Sequence, residues 1–209
     1  MRAFSAEFQS DLMDLMRWRR DVRRFRTDPV APELVAECLE AVRLAPSVGL
    51  SEPWRILAVE SDQARAAVLA NFEVSNADAL AGYRDDKAAT YAGLKLAGMR
   101  EAPVQFAVFC DDETSKGDGL GAGTMPEARR YSVVTAVMNF WLRARALGLG
   151  VGWVSIFDTD RLARDLKAEP GWSLVAYLCV GWPEEAHLDP ELERAGWETR
   201  SDHVAVEVR

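Results

Sequence analysis

Apolar residues recur every three or four positions along five segments of the chain, the spacing that gives a helix one apolar face. This pattern predicts helices over residues 7–18, 32–44, 62–72, 126–147 and 159–167. Pro32 stands near the start of the second segment, where proline is favoured. Thr124 and Glu127 have the spacing of a capping box, which predicts that the fourth helix begins near residue 126.

The helix predicted over 126–147 is the longest, and its apolar residues fall on more than one face. They are Val133, Val134, Val137, Met138, Phe140, Trp141, Leu142 and Leu147. A helix that is apolar on several sides is buried in a core or against another subunit. We therefore expect this helix to be buried on most sides and the chain to form a homodimer.

Shorter apolar runs alternate with these helices and predict strands at residues 55–59, 104–110, 150–156 and 173–180. The run at 104–110 is continuous, which is typical of a buried strand and too short for a helix. This order of elements predicts an α+β or α/β sandwich around a central sheet of four or more strands. A chain of 209 residues can bury a sizeable core, and we interpret residues 1–209 as a single domain.

Three stretches fall outside this pattern. Residues 76–99 are polar, alanine-rich and weakly periodic, and residues 112–123 hold four glycines among charges. Long segments with little core of their own are typical of lids or connectors, and we predict a lid over about 76–99. The C-terminal extension from residue 191 carries Val204, Val206 and Val208 at alternate positions, which favours an added strand or an extension over a partner subunit.

Charge and targeting signals narrow the function classes. The net charge of −8 argues against a nucleic-acid partner held by a broad basic surface. The N-terminus lacks the apolar core of a signal peptide, and no apolar run approaches the roughly 18 residues of a membrane span. We therefore expect a cytoplasmic protein that does not cross a membrane.

The cysteines and histidines do not indicate a metal site. Cys38, Cys110 and Cys179 are far apart and lie in apolar runs, which is typical of buried free thiols in a reducing compartment. His187 and His203 are the only histidines, and no cluster of residues has ligand spacing. We expect no bound metal.

The run Arg19-Arg20-Asp21-Val22-Arg23 is the strongest functional signal from the residues themselves. It places three permanent positive charges around one carboxylate, at the end of a predicted helix. Guanidinium groups suit a phosphate or an electron-rich ring edge, and such surroundings should keep Asp21 ionised and oriented. The alternative interpretation is a solvated run of charges. Two more arginines within residues 19–26 favour a small anionic ligand.

Three other motifs are weaker signals of function. Residues 117–122 match GxGxxA, but polar residues separate them from the preceding strand and no helix opens at Ala122, so we interpret them as a flexible loop. Ser155 ends a predicted strand, where a structural and a catalytic serine both fit. The turn at 45–50 can line a planar ligand through its backbone amides and the Ser47 hydroxyl.

In combination, these motifs resemble the nitroreductase-like flavoprotein family. The resemblance is carried by Arg-Arg-x-x-Arg at 19–23, an Ala-Pro-Ser turn at 45–47 followed by Pro53-Trp54, and a Gly-x-Gly-Trp strand at 150–153. It extends from about residue 14 to residue 200. It implies a homodimeric α+β fold, a three-layer sandwich with a mostly antiparallel central sheet, that binds FMN at the subunit interface.

Within this family, one branch is more similar than the ordinary nitroreductases, which usually have serine where this chain has Asp21. The matching segments are 19–23, 45–49, 150–157, Tyr91-x-x-Leu94-Lys95-Leu96 and Gly196-Trp197. That branch fragments reduced FMN with O2 to 5,6-dimethylbenzimidazole, the lower ligand of vitamin B12. Two alternatives stay open: an NAD(P)H-dependent nitroreductase that retains its FMN, and a non-catalytic FMN-binding protein.

The resemblance also implies roles for single residues. Asp21 would move protons and Ser155 would hydrogen-bond the ring, as the catalytic residues. The residues expected to hold FMN are Arg19, Arg20, Asp21, Val22, Arg23, Ser47, Gly49, Lys87, Leu96, Gly152, Ser155 and Arg200. Gly49 would leave room over the ring for O2. The lid would exclude NAD(P)H, so that a separate flavin reductase supplies reduced FMN.

Overall fold

A four-stranded sheet organises residues 3–209, the part of the chain that the computed structural model describes. Its strands are β1 (Trp54–Ala58), β2 (Val104–Asp111), β3 (Gly150–Val154) and β4 (Trp172–Gly181). The helices are α1 (Ala6–Trp18), α2 (Pro32–Val42), α3 (Asp62–Ala81), α4 (Asp85–Gly93), α5 (Ala128–Ala146), α6 (Thr159–Asp165) and α7 (Glu191–Arg194).

The strands lie in the order β1-β2-β4-β3, and every neighbouring pair is antiparallel. The two longest strands, β2 and β4, are in the centre, and the shorter β1 and β3 are at the edges. This confirms the α+β class with a mostly antiparallel central sheet. The predicted strands all exist, with ends that differ by one or two residues.

Both faces of the central strand β2 are covered. Phe106 and Val108 belong to a core formed with α2 and α5, whereas Ala107 and Phe109 belong to a second core formed with α3 and α6. Successive side chains of a strand point to opposite faces, so a continuous apolar run places a hydrophobic layer on each side. The result is the three-layer sandwich that the sequence predicted.

The sequence predicted that helix α5 is buried on most sides. In the structure it is buried on one broad side only. Its buried residues are Ser132, Val133, Ala136, Val137, Phe140, Trp141 and Ala144. Three residues on its other side are exposed: Tyr131, Val134 and Met138. The exposed fraction of Tyr131 is 53%. An exposed apolar surface on this helix agrees with a subunit contact, and the homodimer stays a prediction.

The predicted capping box does not form. Helix α5 begins at Ala128, and the side chain of Glu127 makes no capping bond. The Thr124 hydroxyl instead donates to the Gly121 carbonyl oxygen at 3.1 Å. Residues 119–125 already form hydrogen-bonded turns, so the threonine is used within that loop. The loop interpretation of residues 117–122 is confirmed.

The polar residues after 72 are helical, contrary to the sequence prediction. Helix α3 continues to Ala81, and α4 follows it. A polar contact anchors α3, because buried Asn71 donates to the Asp158 carbonyl oxygen at 2.8 Å and accepts from its N–H at 2.9 Å. Apolar periodicity does not detect an anchor of this kind. The extent of the lid stays a prediction.

The C-terminal extension contains the short helix α7 and no strand within residues 195–209. Val204, Val206 and Val208 are at least 81% exposed. An added strand within the chain is therefore wrong, and an extension over a partner subunit stays a prediction.

The cysteines are free and buried, as predicted. In residues 3–209, no group of histidine, cysteine and carboxylate side chains has an arrangement that could hold a metal ion. None of the helices in that range combines the length and apolar character that a bilayer crossing requires.

Candidate functional site

The arginine-rich segment after helix α1 runs alongside the edge strand β3. Helix α1 ends at Trp18, and Arg19 adopts an extended conformation. Val22 then donates its N–H to the Val151 carbonyl oxygen at 3.0 Å, and Asp21 forms a parallel bridge with Val151. Backbone pairing therefore fixes the side chains of residues 19–23 relative to the sheet.

Two glycines of β3 permit this close approach. A Cβ on Gly152 would lie 2.2 Å from the Val22 carbonyl oxygen, and one on Gly150 would lie 2.9 Å from a Val22 methyl group. Real Cβ atoms essentially never come closer than 3.0 Å to another heavy atom. Packing against Val22 thus explains the Gly-x-Gly spacing. Contacts of Gly152 and Val22 with a flavin stay predictions.

The Asp21 carboxylate is held at both oxygens. Oδ2 accepts from Arg23 Nε at 2.8 Å, and Oδ1 accepts from the Trp153 N–H at 2.8 Å. The Arg23 side chain is only 13% exposed, whereas about a third of the Asp21 side chain (32%) is accessible. The carboxyl group is therefore fixed in place on a side chain that is partly accessible.

Burial raises the pKa of the Asp21 carboxyl above its ordinary value, despite the opposing effects of Arg23 and the Trp153 N–H. The sequence predicted that the arginines would keep this group ionised and oriented; Arg23 does orient it, whereas its pKa is raised and not lowered. Arg19 lies over the Trp141 ring, 4.7 Å from its centroid, and Arg20 Nε donates to the Leu188 carbonyl oxygen at 2.6 Å. The guanidinium in contact with Asp21 is that of Arg23.

The charges of Arg19, Arg20 and Arg200 are close enough to influence one another. Burial lowers the pKa of Arg19 and of Arg20, and the charge of Arg200 lowers both further. Within residues 3–209, none of these three side chains forms an ion pair with a carboxylate. Partly buried guanidinium groups without a carboxylate partner favour the binding of an anion.

Ser155 follows strand β3 and is exposed. It lies two residues beyond Trp153, whose N–H is bonded to Asp21. The two predicted catalytic residues are thus brought to one end of one strand.

Ser47 and Gly49 are held in a different place, at the loop of residues 117–121. Ser47 Oγ accepts from the Glu52 N–H at 3.1 Å. Gly49 has a positive φ of 57°, and a Cβ on it would lie 2.8 Å from the Leu120 carbonyl oxygen. Within one chain, the space beside Gly49 is therefore filled by backbone. Contacts of Ser47 and Gly49 with a flavin stay predictions.

Lys87, which the sequence placed near a flavin, contacts the C-terminal extension. Its ammonium group lies 4.1 Å from the centroid of the Trp197 ring and donates to the Trp197 carbonyl oxygen at 2.6 Å. Leu96 is half-buried just after α4, next to Lys95, whose carbonyl oxygen accepts from Arg23 at 3.3 Å. The end of the predicted lid thus reaches the arginine cluster. Roles of Lys87 and Leu96 in holding a ligand stay predictions.

Sequence reasoning assigned no role to three tryptophans of the site. Trp141 stacks under Arg19, the Trp153 amide orients Asp21, and Trp197 joins α4 to the C-terminal extension. Helical periodicity placed Trp141 in the core, and a backbone donor has no sequence signature. The Gly196-Trp197 match was the one available signal for the third.

A model of the nitroreductase family matches residues 16–182, and the chain belongs to this family. Its relatives include the 5,6-dimethylbenzimidazole synthase of Rhodospirillum rubrum, 51% identical over 97% of this chain and 96% of that protein. A 5,6-dimethylbenzimidazole synthase of Rhodobacter capsulatus is 43% identical over 93% of this chain and 94% of that one. A putative NAD(P)H nitroreductase of Bacillus subtilis is more distant, at 25% identity over 88% and 89%.

Solved structures share the fold. An iodotyrosine deiodinase bound to FMN and 3-iodo-L-tyrosine superposes with a TM-score of 0.72 at 23% identity, covering 95% of this chain and 97% of that one. A BluB-like flavoprotein of Clostridium difficile gives a TM-score of 0.68 at 20% identity, covering 95% and 99%.

Proposed function

We propose that this chain is an enzyme that fragments reduced FMN with O2 to form 5,6-dimethylbenzimidazole. The observation that carries the proposal is the position of Asp21, held by Arg23 and the Trp153 amide beside the strand that ends at Ser155. The full-length similarity to proteins named 5,6-dimethylbenzimidazole synthase supports the same reaction.

The donor set fits the phosphate of FMN. Across residues 3–209, Arg19, Arg20 and Arg200 present positive charges without a carboxylate in ion-pair contact, and a phosphate dianion would relieve their mutual repulsion. When bound, reduced FMN supplies the electrons that O2 takes up and the carbon atoms of the product.

Asp21 is suited to proton transfer. Its two hydrogen bonds fix its orientation, and burial raises its pKa above the ordinary value. A carboxyl group is an effective acid and base when its pKa lies near the working pH. In this proposal Asp21 takes up and returns a proton, and the Ser155 hydroxyl donates to or accepts from the ligand at the same strand end.

Helix α4 and the residues after it act as a lid that excludes water and NAD(P)H. Arg23 contacts Lys95 at one end of this segment, and Lys87 contacts Trp197 at the other. A covered ring has no room for a nicotinamide, so a separate flavin reductase delivers reduced FMN. We propose that the protein acts as a homodimer, which would bring Ser47 and Gly49 of one subunit towards the arginine cluster of the other.

An aerobic incubation with FMN, NADPH and an unrelated flavin reductase tests the proposal. Chromatography should detect 5,6-dimethylbenzimidazole together with loss of FMN. Intact flavin, with NAD(P)H oxidised by the protein alone, would indicate a nitroreductase instead. Intact flavin without that oxidation would indicate a non-catalytic flavin-binding protein.

A further inference from the structure

Three aromatic rings and one lysine join helix α4 to the C-terminal extension. The rings of Tyr83 and Tyr91 are stacked with centroids 4.8 Å apart, and Trp197 meets them edge-on at 5.3 and 6.0 Å. The Lys87 ammonium group lies against the same indole. We call Tyr83, Lys87, Tyr91 and Trp197 the aromatic clasp.

The aromatic clasp is connected to the arginine cluster by two routes. Arg23 donates to the Lys95 carbonyl oxygen, two residues after α4 ends. On the other route, Trp197 is three residues before Arg200, whose charge lowers the pKa of Arg19 and Arg20. Helix α4 is thus tied to the same cationic surface at both of its ends.

The aromatic clasp is weak enough to open. Tyr83 is 37% exposed, Lys87 is exposed, and Tyr91 is the one buried residue of the nine in α4. Helices this short are marginal without tertiary contacts. Aromatic pairs and exposed cation–π contacts contribute modestly, so the closed arrangement depends on few interactions.

A second anchor keeps α4 in place when the clasp is open. The Tyr91 hydroxyl donates to Asn76 Oδ1 of helix α3 at 2.8 Å. Loss of Trp197 therefore leaves α4 attached to α3 and removes the aromatic contacts between α4 and the C-terminal extension.

We propose that Trp197 is a positioning residue that fixes helix α4 to the segment carrying Arg200, so that phosphate bound at Arg19, Arg20 and Arg200 also closes the lid. The identity of the phosphate-bearing ligand rests on the proposed function. The closure itself requires only an anion at the arginines.

Tryptic cleavage after Arg84 and Lys87, located by mass spectrometry, measures lid opening without turnover. In the unaltered protein, FMN and inorganic phosphate should slow cleavage, and riboflavin, which lacks the phosphate, should not. In Trp197→Ala, cleavage should be about tenfold faster, equivalent to ~1.4 kcal/mol, and phosphate should no longer slow it. Trp197→Phe should restore much of the phosphate effect, because a ring remains for the edge-on contacts.

Trp182→Ala is the matched control. Trp182 also has a cation–π partner, Arg26 at 5.8 Å, but lies away from the aromatic clasp. It should leave the phosphate effect at residues 84–87 unchanged, because its contacts are with Arg26, Pro29 and the core formed with α2 and α5. If Trp197→Ala keeps the phosphate effect of the unaltered protein, the proposal is wrong. An unaltered protein that closes its lid on phosphate but forms no 5,6-dimethylbenzimidazole would contradict the proposed function and leave the role of Trp197 intact.

Discussion

The carbonyl oxygen of Val22 occupies the position that a side chain on Gly152 would need, 2.2 Å from the Cβ site. This contact is backbone against backbone, so neither partner can move aside by changing a rotamer. The position of Asp21, the residue before Val22, therefore depends on the absence of a side chain at residue 152 of strand β3.

Gly152→Ala should displace residues 21–23 from strand β3. We expect a loss of stability of about 1–3 kcal/mol, the usual range for an inserted carbon that forces a backbone shift. FMN binding should weaken together with the melting temperature, because the Asp21–Trp153 hydrogen bond is lost. Gly93→Ala is the control, since a Cβ there meets nothing within 4 Å. Equal melting temperatures for the two variants would contradict the close contact.

Asp21→Asn should bind reduced FMN and form no measurable 5,6-dimethylbenzimidazole. The amide retains the size of the carboxyl group but cannot take up a proton, and general acid–base catalysis contributes roughly 10²–10⁴-fold to a rate. Binding is measured by anaerobic titration, and product by chromatography. Normal product yield would show that Asp21 does not move the proton.

The same variant reports on the direction of the Asp21 pKa shift. A carboxyl group whose pKa is higher in the folded state than the ordinary 3.8 binds more protons when folded. Its contribution to stability is fully present below the ordinary pKa and is lost as pH rises through the raised pKa. The free energy of unfolding of the unaltered protein minus that of Asp21→Asn should therefore fall as pH increases above 3.8. Denaturant titrations across this range measure it, and a rise would mean that Arg23 outweighs burial.

Arg200→Ala should weaken FMN binding about tenfold or more, since a hydrogen bond to a charged group contributes roughly 1.5–3 kcal/mol. Riboflavin binding should change little because riboflavin carries no phosphate. Arg26→Ala serves as the control. Arg26 belongs to the basic run of residues 19–26, but it is exposed and pairs with Asp28 at 3.4 Å. Fluorescence titration gives both affinities, and an equal loss for riboflavin would place Arg200 at the ring instead.

Ser155→Ala should reduce product formation by about fivefold, the effect of losing one hydrogen bond of ~1 kcal/mol. The melting temperature should not change, because Ser155 is exposed. Ser173→Ala should have the opposite effects, because the Ser173 hydroxyl donates to Asp112 at 2.6 Å at the start of β4. Stability should fall and the rate should not. A rate unaffected by Ser155→Ala would remove Ser155 from the reaction.

The sequence predicted those features that depend on local patterns. The continuous apolar run of β2 was sufficient for a buried strand, since each face of the sheet received its own side chains. The order of the motifs was sufficient for the family. In both cases the prediction depends on short sequence patterns and not on contacts between distant residues.

Features that depend on distant contacts were not predicted. The end of helix α3 was predicted too early, because residues 73–81 show little apolar periodicity although they continue the helix. The pKa of Asp21 was expected to follow its arginine neighbours, but burial under the rest of the fold outweighs them. Arg19 and Arg20 are adjacent to Asp21 in sequence, yet one lies over Trp141 and the other bonds to Leu188.

The bond between Asp21 and Trp153 joins residues that are 132 positions apart. Contacts of such separation form late in folding, because the intervening chain must be ordered before they are favourable. During synthesis, the arginine-rich segment leaves the ribosome long before strand β3 exists. A chain that ends before residue 150 therefore contains every arginine of residues 19–26, but it has no strand along which they can be ordered.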